Sequence, residues 1–256
     1  MVLAKRIIPC LDEKGGRAVK GVNFQNLKDV GIPAQLGKHY CAELADELCF
    51  LDIDATLENR KTVLGWVREV AEEIDIPFCV GGGVSTVWDF TALMRNGADK
   101  VCINSGALAN PQLISQCARE YGSQAVVVAA DYKRIAGKKG TEKKVFSKAG
   151  SEETVWDAAS WAKKAEELVA GELLLTSIDA DGTKNGFDVA TLAEISNSVS
   201  IPIIASGGAG KIEDFAEVFN KTACTGALAA GIFHRVEVSI YQVKRFLQDE
   251  GVTVRL

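Results

Sequence analysis

Residues 45–55 (ADELCFLDIDA) return 125 positions later as residues 170–180 (AGELLLTSIDA), identical at six of eleven places. At the same offset, residues 75–84 (DIPFCVGGGV) come back as residues 200–209 (SIPIIASGGA). Two apolar segments, 7–12 (IIPCLD) and 127–131 (VVAAD), form a third pair in which each runs into an aspartate. The chain is written twice, and a doubled chain is expected to carry doubled sites.

Working outward from these segments, short apolar runs alternate with longer amphipathic stretches, the rhythm of βαβ units and a parallel sheet. Strands are expected at 6–11, 47–52, 77–80, 100–103, 125–130, 172–176, 202–205 and 226–229. Each is apolar nearly throughout, as strands covered on both faces are. Helices are expected at 59–74, 111–121, 155–168, 211–219 and 240–250, with Asn110 as an N-cap before Pro111. Eight strands with helices between them in 256 residues have the size of a (β/α)8 TIM barrel of the α/β class. The repeat divides this single expected domain, residues 1–256, into half-barrels at about 1–122 and 123–256. A doubly wound open sheet is the alternative, but it gives no natural reason for the second half to copy the loops of the first.

Two segments exceed the usual βα loop length. Residues 12–32 contain Gly15, Gly16, Gly21 and Gly31, and are expected to close over a ligand because they follow a candidate catalytic carboxylate. Residues 131–152 carry Lys133, Arg134, Lys138, Lys139, Lys143 and Lys144, and are expected to form a solvated flap with its own short hairpin. Direct contact of this flap with substrate is the alternative.

A formal charge of −5 argues against a nucleic-acid or anionic-membrane surface, so phosphate binding would have to be local. The N-terminus meets charge before any apolar run, and no stretch approaches the roughly 20 apolar residues of a membrane span. Seven scattered cysteines without CxxC spacing argue against a disulfide framework or a zinc site. His39 and His234, the only histidines, offer little to a metal. The expectation is a reduced, cytoplasmic protein with no metal and no cofactor.

Barrel active sites lie at the C-terminal strand ends. Those ends read Asp12, Asp52, Gly81-Gly82-Gly83, Asn104-Ser105, Asp131, Thr176 with Asp181-Gly182, Ser206-Gly207-Gly208, and Ala230-Gly231. Glycines before a helix let backbone N–H groups approach an anion. Loops 3/4 and 7/8 would thus make two phosphate cradles on opposite sides of one mouth. Asp12 and Asp131 stand between them, suited to general acid and base work on a bisphosphate; capping of a following turn is the structural alternative. Side-chain alternation along the strands carries Arg6, Glu47, Lys100 and Glu172 to the barrel bottom. They could pair there as a ring or simply face solvent. Above them stand Cys10, Cys49 and Cys102, with Cys79 beside them, lining either a narrow passage or an ordinary layered core.

Together these residues resemble the cyclase subunits of imidazole glycerol phosphate synthase, from histidine biosynthesis. The likeness covers essentially the whole chain and is carried by residues 3–12 (LAKRIIPCLD), 19–21 (VKG), 80–83 (VGGG), 98–101 (ADKV), 122–128 (GSQAVVV), 175–183 (LTSIDADGT) and 204–211 (IASGGAGK). It implies a (β/α)8 enzyme converting ammonia and phosphoribulosyl-formimino aminoimidazole carboxamide ribonucleotide to imidazole glycerol phosphate and aminoimidazole carboxamide ribonucleotide. In that likeness Asp12 and Asp131 match the acid/base pair, and Lys20 matches a mobile-loop lysine that closes over substrate. Gly83, Asn104 and Ser105 match one phosphate site; Asp181, Gly182, Gly208, Ala230 and Gly231 match the other. Arg6, Glu47, Lys100 and Glu172 match a charged gate through which ammonia arrives from a glutaminase subunit docked on the N-terminal face. Consistent with a separate glutaminase, no cysteine here sits in a Gly-X-Cys-X-Gly turn and neither histidine has such a companion. Two positions depart from the pattern: Gly231 where serine is common, and Asp54 where threonine or serine is usual. His234 is expected to have a packing or hydrogen-bonding role. An ammonia-using paralogue with another phosphorylated or sugar substrate, the sister ribonucleotide isomerase, and a non-catalytic glutaminase-binding scaffold remain alternatives.

Overall fold

A computed structural model describes residues 3–22, 25–53, 55, 62, 64–137, 140–234 and 238–256, without the side chains of residues 20–28. Asp54, Lys138, Lys139 and the side chain of Lys20 therefore lie outside the described residues. In chain order the strands are β1 (Arg6–Lys14), β2 (Arg17–Val22), β3 (Gln25–Gly31), β4 (Leu48–Asp52), β5 (Phe78–Gly81), β6 (Lys100–Ile103), β7 (Val126–Gly137), β8 (Gly140–Ser147), β9 (Glu152–Asp157), β10 (Glu172–Ser177), β11 (Ile203–Ser206) and β12 (Gly226–Ala229). Parallel pairing runs β1-β4-β5-β6-β7-β10-β11-β12 and closes where Arg6 pairs with Gly226. This is the eight-stranded parallel barrel, with helices between its strands.

Both long segments are more ordered than the sequence reading expects. β1 continues past Asp12 to Lys14, turns on Gly15 and Gly16 (φ +60° and +85°), and pairs antiparallel with β2, which pairs with β3. Two adjacent residues at positive φ suit a two-residue hairpin, and glycine adopts them without the Cβ penalty. What reads as a loop is thus a strand meander standing on the barrel rim. β7 likewise overruns the barrel and folds with β8 and β9 into a three-stranded extension, so the expected short hairpin is present within a larger ribbon.

The expected helix at 155–168 begins only at Ala158, because Glu152–Asp157 is strand and Asp157 caps the helix by accepting from the Ala159 N–H at 3.1 Å. Val155 misleads as a helix-face residue: it is 86% exposed on β9. Nor does Asn110 cap the next helix. It ends the short helix Ser105–Ala109, and the helix Gln112–Tyr121 starts after Pro111 without a side-chain cap.

Alternation along β1 separates two apolar shells. Ile7 and Leu11 face the helices, whereas Ile8 and Cys10 face the lumen. The outer shell holds the large side chains, among them Trp161, Phe50, Phe90 and Phe215, each fully buried. At about 1.5–3 kcal/mol per large apolar side chain, this shell supplies most of the apolar stabilisation. The lumen can therefore be filled with small residues: Cys10, Cys49, Cys79, Cys102, Ala129 and Val127, with Ile8, Leu174, Ile204 and Leu228. Gly226 leaves its own lumen position empty; a Cβ there would come within 3.4 Å of Arg6 Nη2.

Candidate functional site

The C-terminal strand ends enclose a cavity of about 230 Å³. Its lining brings together Asp12, Asp52, Gly81, Gly82, Gly83, Asn104, Ser105, Asp131, Thr176, Asp181, Gly182, Ser206, Gly207, Gly208, Ala230 and Gly231. Of the residues expected at this face, only Lys20 is not placed against it, its side chain lying outside the described residues.

Both glycine turns run through two consecutive residues at positive φ, and a carbonyl oxygen crowds the first glycine of each. Gly82 and Gly83 have φ of +108° and +64°; Gly207 and Gly208, 125 residues on, have +87° and +111°. A Cβ on Gly82 would sit 2.2 Å from the Asp52 carbonyl oxygen, and one on Gly207 2.8 Å from that of Ser177. Behind each turn a buried aspartate gathers the loop backbone. Asp89 Oδ2 accepts from the N–H groups of Ser85 and Thr86 at 3.0 and 2.9 Å. Asp214 Oδ2 accepts from those of Gly210 and Lys211 at 2.8 and 3.0 Å. Sequence reasoning missed both aspartates, although they too are separated by 125 positions and stand three residues into their helices, where a carboxylate caps.

Gly82→Ala is expected to lower affinity for inorganic phosphate at this turn and to destabilise the fold more than Gly207→Ala. The first must displace a backbone oxygen in tight contact and adopt a left-handed φ, a conformational cost of about 1–3 kcal/mol before the clash. Thermal melts of the two variants, with calorimetric phosphate titration, check the order; equal losses would remove the steric account.

Asp12 on the first barrel strand and Asp131 on the fifth face one another across the mouth, with three strands between them on either side. Asp131 Oδ2 accepts from Asn104 Nδ2 at 2.9 Å, and Thr176 is its register partner on β10. Burial pushes the Asp131 carboxyl up to about 6, and the Asp181 charge adds to this, while hydrogen bonding from Asn104 and the neighbouring Thr176 hydroxyl opposes it. Such a group exchanges a proton near neutrality. Asn104 Oδ1 is buried without a hydrogen-bond partner among the described protein groups. Asp52 is buried and accepts from the Ala55 N–H at 3.1 Å, closing the turn after β4 as well as lining the cavity.

The basic ribbon is not only a solvated flap. Its charges are largely paired: Lys143 with Glu194, Arg134 with Asp188 and Lys148 with Glu152. Its β8–β9 turn, however, lies at the barrel end of the ribbon and reaches the site. The Lys148 N–H donates to Ser105 Oγ at 3.0 Å, and Ala149 lines the cavity. Three consecutive left-handed residues, Lys148, Ala149 and Gly150 (φ +50°, +54° and +79°), make this turn, and only the glycine could have signalled it. Lys184 also lines the cavity and was not singled out, since it sits in an irregular segment without periodicity.

His234 lines the cavity and makes two hydrogen bonds whose chemistry fixes its tautomer. Nε2 lies 2.8 Å from the Cys10 carbonyl, which can only accept, so Nε2 carries the proton. Nδ1 therefore accepts from the Tyr40 hydroxyl at 2.6 Å. The ring ties the short helix Gly231–His234 to β1 two residues before Asp12.

At the opposite end of the lumen the four charges meet. Arg6 pairs with Glu47 at 2.7 Å and with Glu172; Lys100 pairs with the same two carboxylates at 2.9 Å each. Burial pushes the Glu47 carboxyl up. Glu172 is equally buried, but Arg6, contacting it through two nitrogens, and Lys100 together hold it below the usual range. Between the ring and the cavity stand Cys10, Cys49, Cys79 and Cys102.

A profile of the family described as histidine biosynthesis protein matches residues 6–239, from the arginine of the ring through both glycine turns. The chain belongs to that family. Within it, the chain is 52% identical over 255 residues to imidazole glycerol phosphate synthase subunit HisF of Clostridium botulinum (strain Okra), with each chain wholly covered. The HisF subunits of Streptococcus mutans and Bacillus cereus (strain G9842) are likewise 52% identical, over 254 and 255 residues. Among the described residues, this histidine biosynthesis protein has no helix long and apolar enough to cross a membrane and no cluster of metal-ligating side chains.

Proposed function

We propose that this chain is the cyclase subunit of imidazole glycerol phosphate synthase. It would convert ammonia and phosphoribulosyl-formimino aminoimidazole carboxamide ribonucleotide to imidazole glycerol phosphate and aminoimidazole carboxamide ribonucleotide. The observation that carries this reading is one cavity with two repeat-related glycine turns and two opposed carboxylates between them. A substrate with a phosphate at each end spans such a mouth and holds its middle between the carboxylates. Glycine turns leading into helices offer backbone N–H groups to the phosphates. Lys20, Asp52, Gly83, Asn104, Ser105, Thr176, Asp181, Gly182, Ser206, Gly207, Gly208, Ala230 and Gly231 would hold the substrate.

Ammonia addition to the ribulosyl carbon needs an acid for the departing oxygen and a base for the nitrogen protons. Asp131, with its carboxyl near 6, supports the proton exchange, and Asp12 stands opposite as its complement. Arg6, Glu47, Lys100 and Glu172 would form the gate for ammonia delivered by a glutaminase subunit docked on the N-terminal face. The charged ring favours this reading over the sister isomerase, which has no ammonia to admit. The setting is a cytoplasmic one, with no cofactor, nucleic acid or membrane involved.

The test is direct. The purified chain, mixed with the bisphosphate ribonucleotide and an ammonium salt at alkaline pH, should consume the substrate without any partner. A folded chain that leaves the substrate intact would sink the assignment.

A further inference from the structure

Of the seven cysteines, four face the lumen on three neighbouring strands and β1. Cys10 and Cys49 are register partners on β1 and β4, and Cys49 and Cys79 are register partners on β4 and β5. Register partners on adjacent strands stand about 4.8 Å apart at Cα, inside the roughly 4.4–6.8 Å window of a disulfide. All four side chains belong to the lumen cluster, so Cys10, Cys49, Cys79 and Cys102 form a continuous row along one arc of its wall. The buried outer-shell cysteines, Cys117 and Cys224, have no accessible surface, but the lumen four retain 2–4% each. Cys10 and Cys102 line the cavity itself. A small solute entering the mouth therefore meets thiols.

The four sulfurs are not equivalent. Cys79 receives hydrogen bonds from both Cys102 and Cys49, and its register partner on β6 is Lys100, whose ammonium adds attraction; these hold its thiol below the ordinary range. Hydrogen bonding to Cys10 and Cys79, with burial, pushes the Cys49 thiol up. A thiolate beside a protonated thiol at disulfide distance is the arrangement of an attacking and a resolving cysteine.

We propose that Cys49 and Cys79 are an oxidant-modification site inside the barrel, joined as a disulfide by hydrogen peroxide. The Cys79 thiolate attacks one peroxide oxygen, the O–O bond breaks, and the hydroxide that leaves takes up a proton as water. Cys79 is then a sulfenic acid. The Cys49 sulfur attacks the Cys79 sulfur, the S–O bond breaks, and a second water leaves with the Cys49 proton. Two thiols are oxidised, and one peroxide is reduced to two waters. Resting on the cyclase reading, the consequence is that oxidation alters the wall of the passage between the ring and the carboxylates. Turnover fed by a glutaminase subunit should fall by more than turnover fed by added ammonium.

The experiment treats the folded full-length chain with hydrogen peroxide, blocks remaining thiols, unfolds it and maps its tryptic peptides. Expected are five blocked thiols of the seven and a linked pair of peptides, 39–60 and 69–95, two hydrogens lighter than their sum and separated again by a thiol reductant. Cys41 shares the first peptide, so Cys41→Ala should keep the link, whereas Cys49→Ala and Cys79→Ala should each abolish it. If an alanine variant does not fold, fragmentation of the linked wild-type peptides identifies the bonded sulfurs. Seven blocked thiols, or a link that survives Cys49→Ala, would overturn the proposal. Equal losses of glutaminase-fed and ammonium-fed turnover would overturn its functional consequence. A reduced chain inactive with ammonium would count against the cyclase reading and leave the thiol chemistry to be judged by the peptide map.

Discussion

Asp131→Asn is expected to lower ammonium-fed turnover by about 10²–10⁴-fold, the usual worth of a general acid or base, while substrate affinity changes only a few-fold. The amide keeps the shape of the side chain and can still accept from Asn104 Nδ2, so the site's geometry is retained. What it removes is the exchangeable proton. Asp12→Asn should act similarly, since one carboxylate cannot serve both ends of the proton traffic. The variant also reports on electrostatics through stability. The Asp131 carboxyl stands at about 6 in the folded chain, above its ordinary value of 3.8. Between those values the folded chain keeps a proton that the unfolded chain releases, so stability falls as pH rises through this window and the full penalty persists above it. Asp131→Asn escapes that penalty. Relative to the parent, it should therefore gain roughly 1–3 kcal/mol on going from pH 4 to pH 8. Paired thermal melts at the two pH values measure this. A variant that turns over normally ends the acid/base role, and a pH-independent stability difference ends the account of the raised carboxyl.

The barrel was legible because its signal is global: eight apolar runs, and a repeat that aligns their loops. The cavity lining was legible for a related reason. Strand ends are where alternation and catalytic polarity coincide, so Asp12, Asn104, Asp131 and Thr176 could be placed from strand assignments alone. Residues fixed by contacts between loops were not. Asp89 and Asp214 hold the glycine turns from behind, and Ala149 arrives from the ribbon of the other half through a turn of left-handed residues. Hydropathy does not encode such arrivals. The rim meander was misread for another reason: its glycine pair was counted as loop composition, whereas two glycines between strand-like runs are a hairpin signal.

Doubling and asymmetry divide the work of the site. Glycine turns and their aspartate caps repeat at a fixed offset, so the two sides of the mouth are built alike. The β8–β9 turn of the ribbon touches the Ser105 side, and the His234–Tyr40 pair fastens the Gly231 side. A pseudo-symmetric mouth could hold a bisphosphate in either direction; these one-sided contacts give its two ends different walls. Orientation matters because ammonia, if admitted through the ring, approaches along the barrel axis and must meet the ribulosyl half.

For that reason Lys100→Ala should uncouple the two sources of ammonia. With a glutaminase subunit supplying it, turnover should change several-fold. With added ammonium entering from the mouth, turnover should stay within about twofold, because Lys100 is at the far end of the lumen from both carboxylates. The substitution leaves Glu47 and Glu172 sharing Arg6 alone. Breaking a buried ionic contact can cost about 3–5 kcal/mol when the remaining charge cannot be relieved. Here relief exists: burial has already pushed the Glu47 carboxyl up, and without Lys100 it rises further and takes a proton. The stability loss should thus be greatest at alkaline pH, where protonating Glu47 is hardest, and should shrink as pH falls. Lys100→Met, which keeps the length of the side chain without its charge, separates filling from charge: if the ring gates by charge, methionine should uncouple as alanine does. Equal effects on both routes in either variant would reduce the ring to a structural plug, and a pH-independent stability loss would contradict the shared-proton account of Glu47.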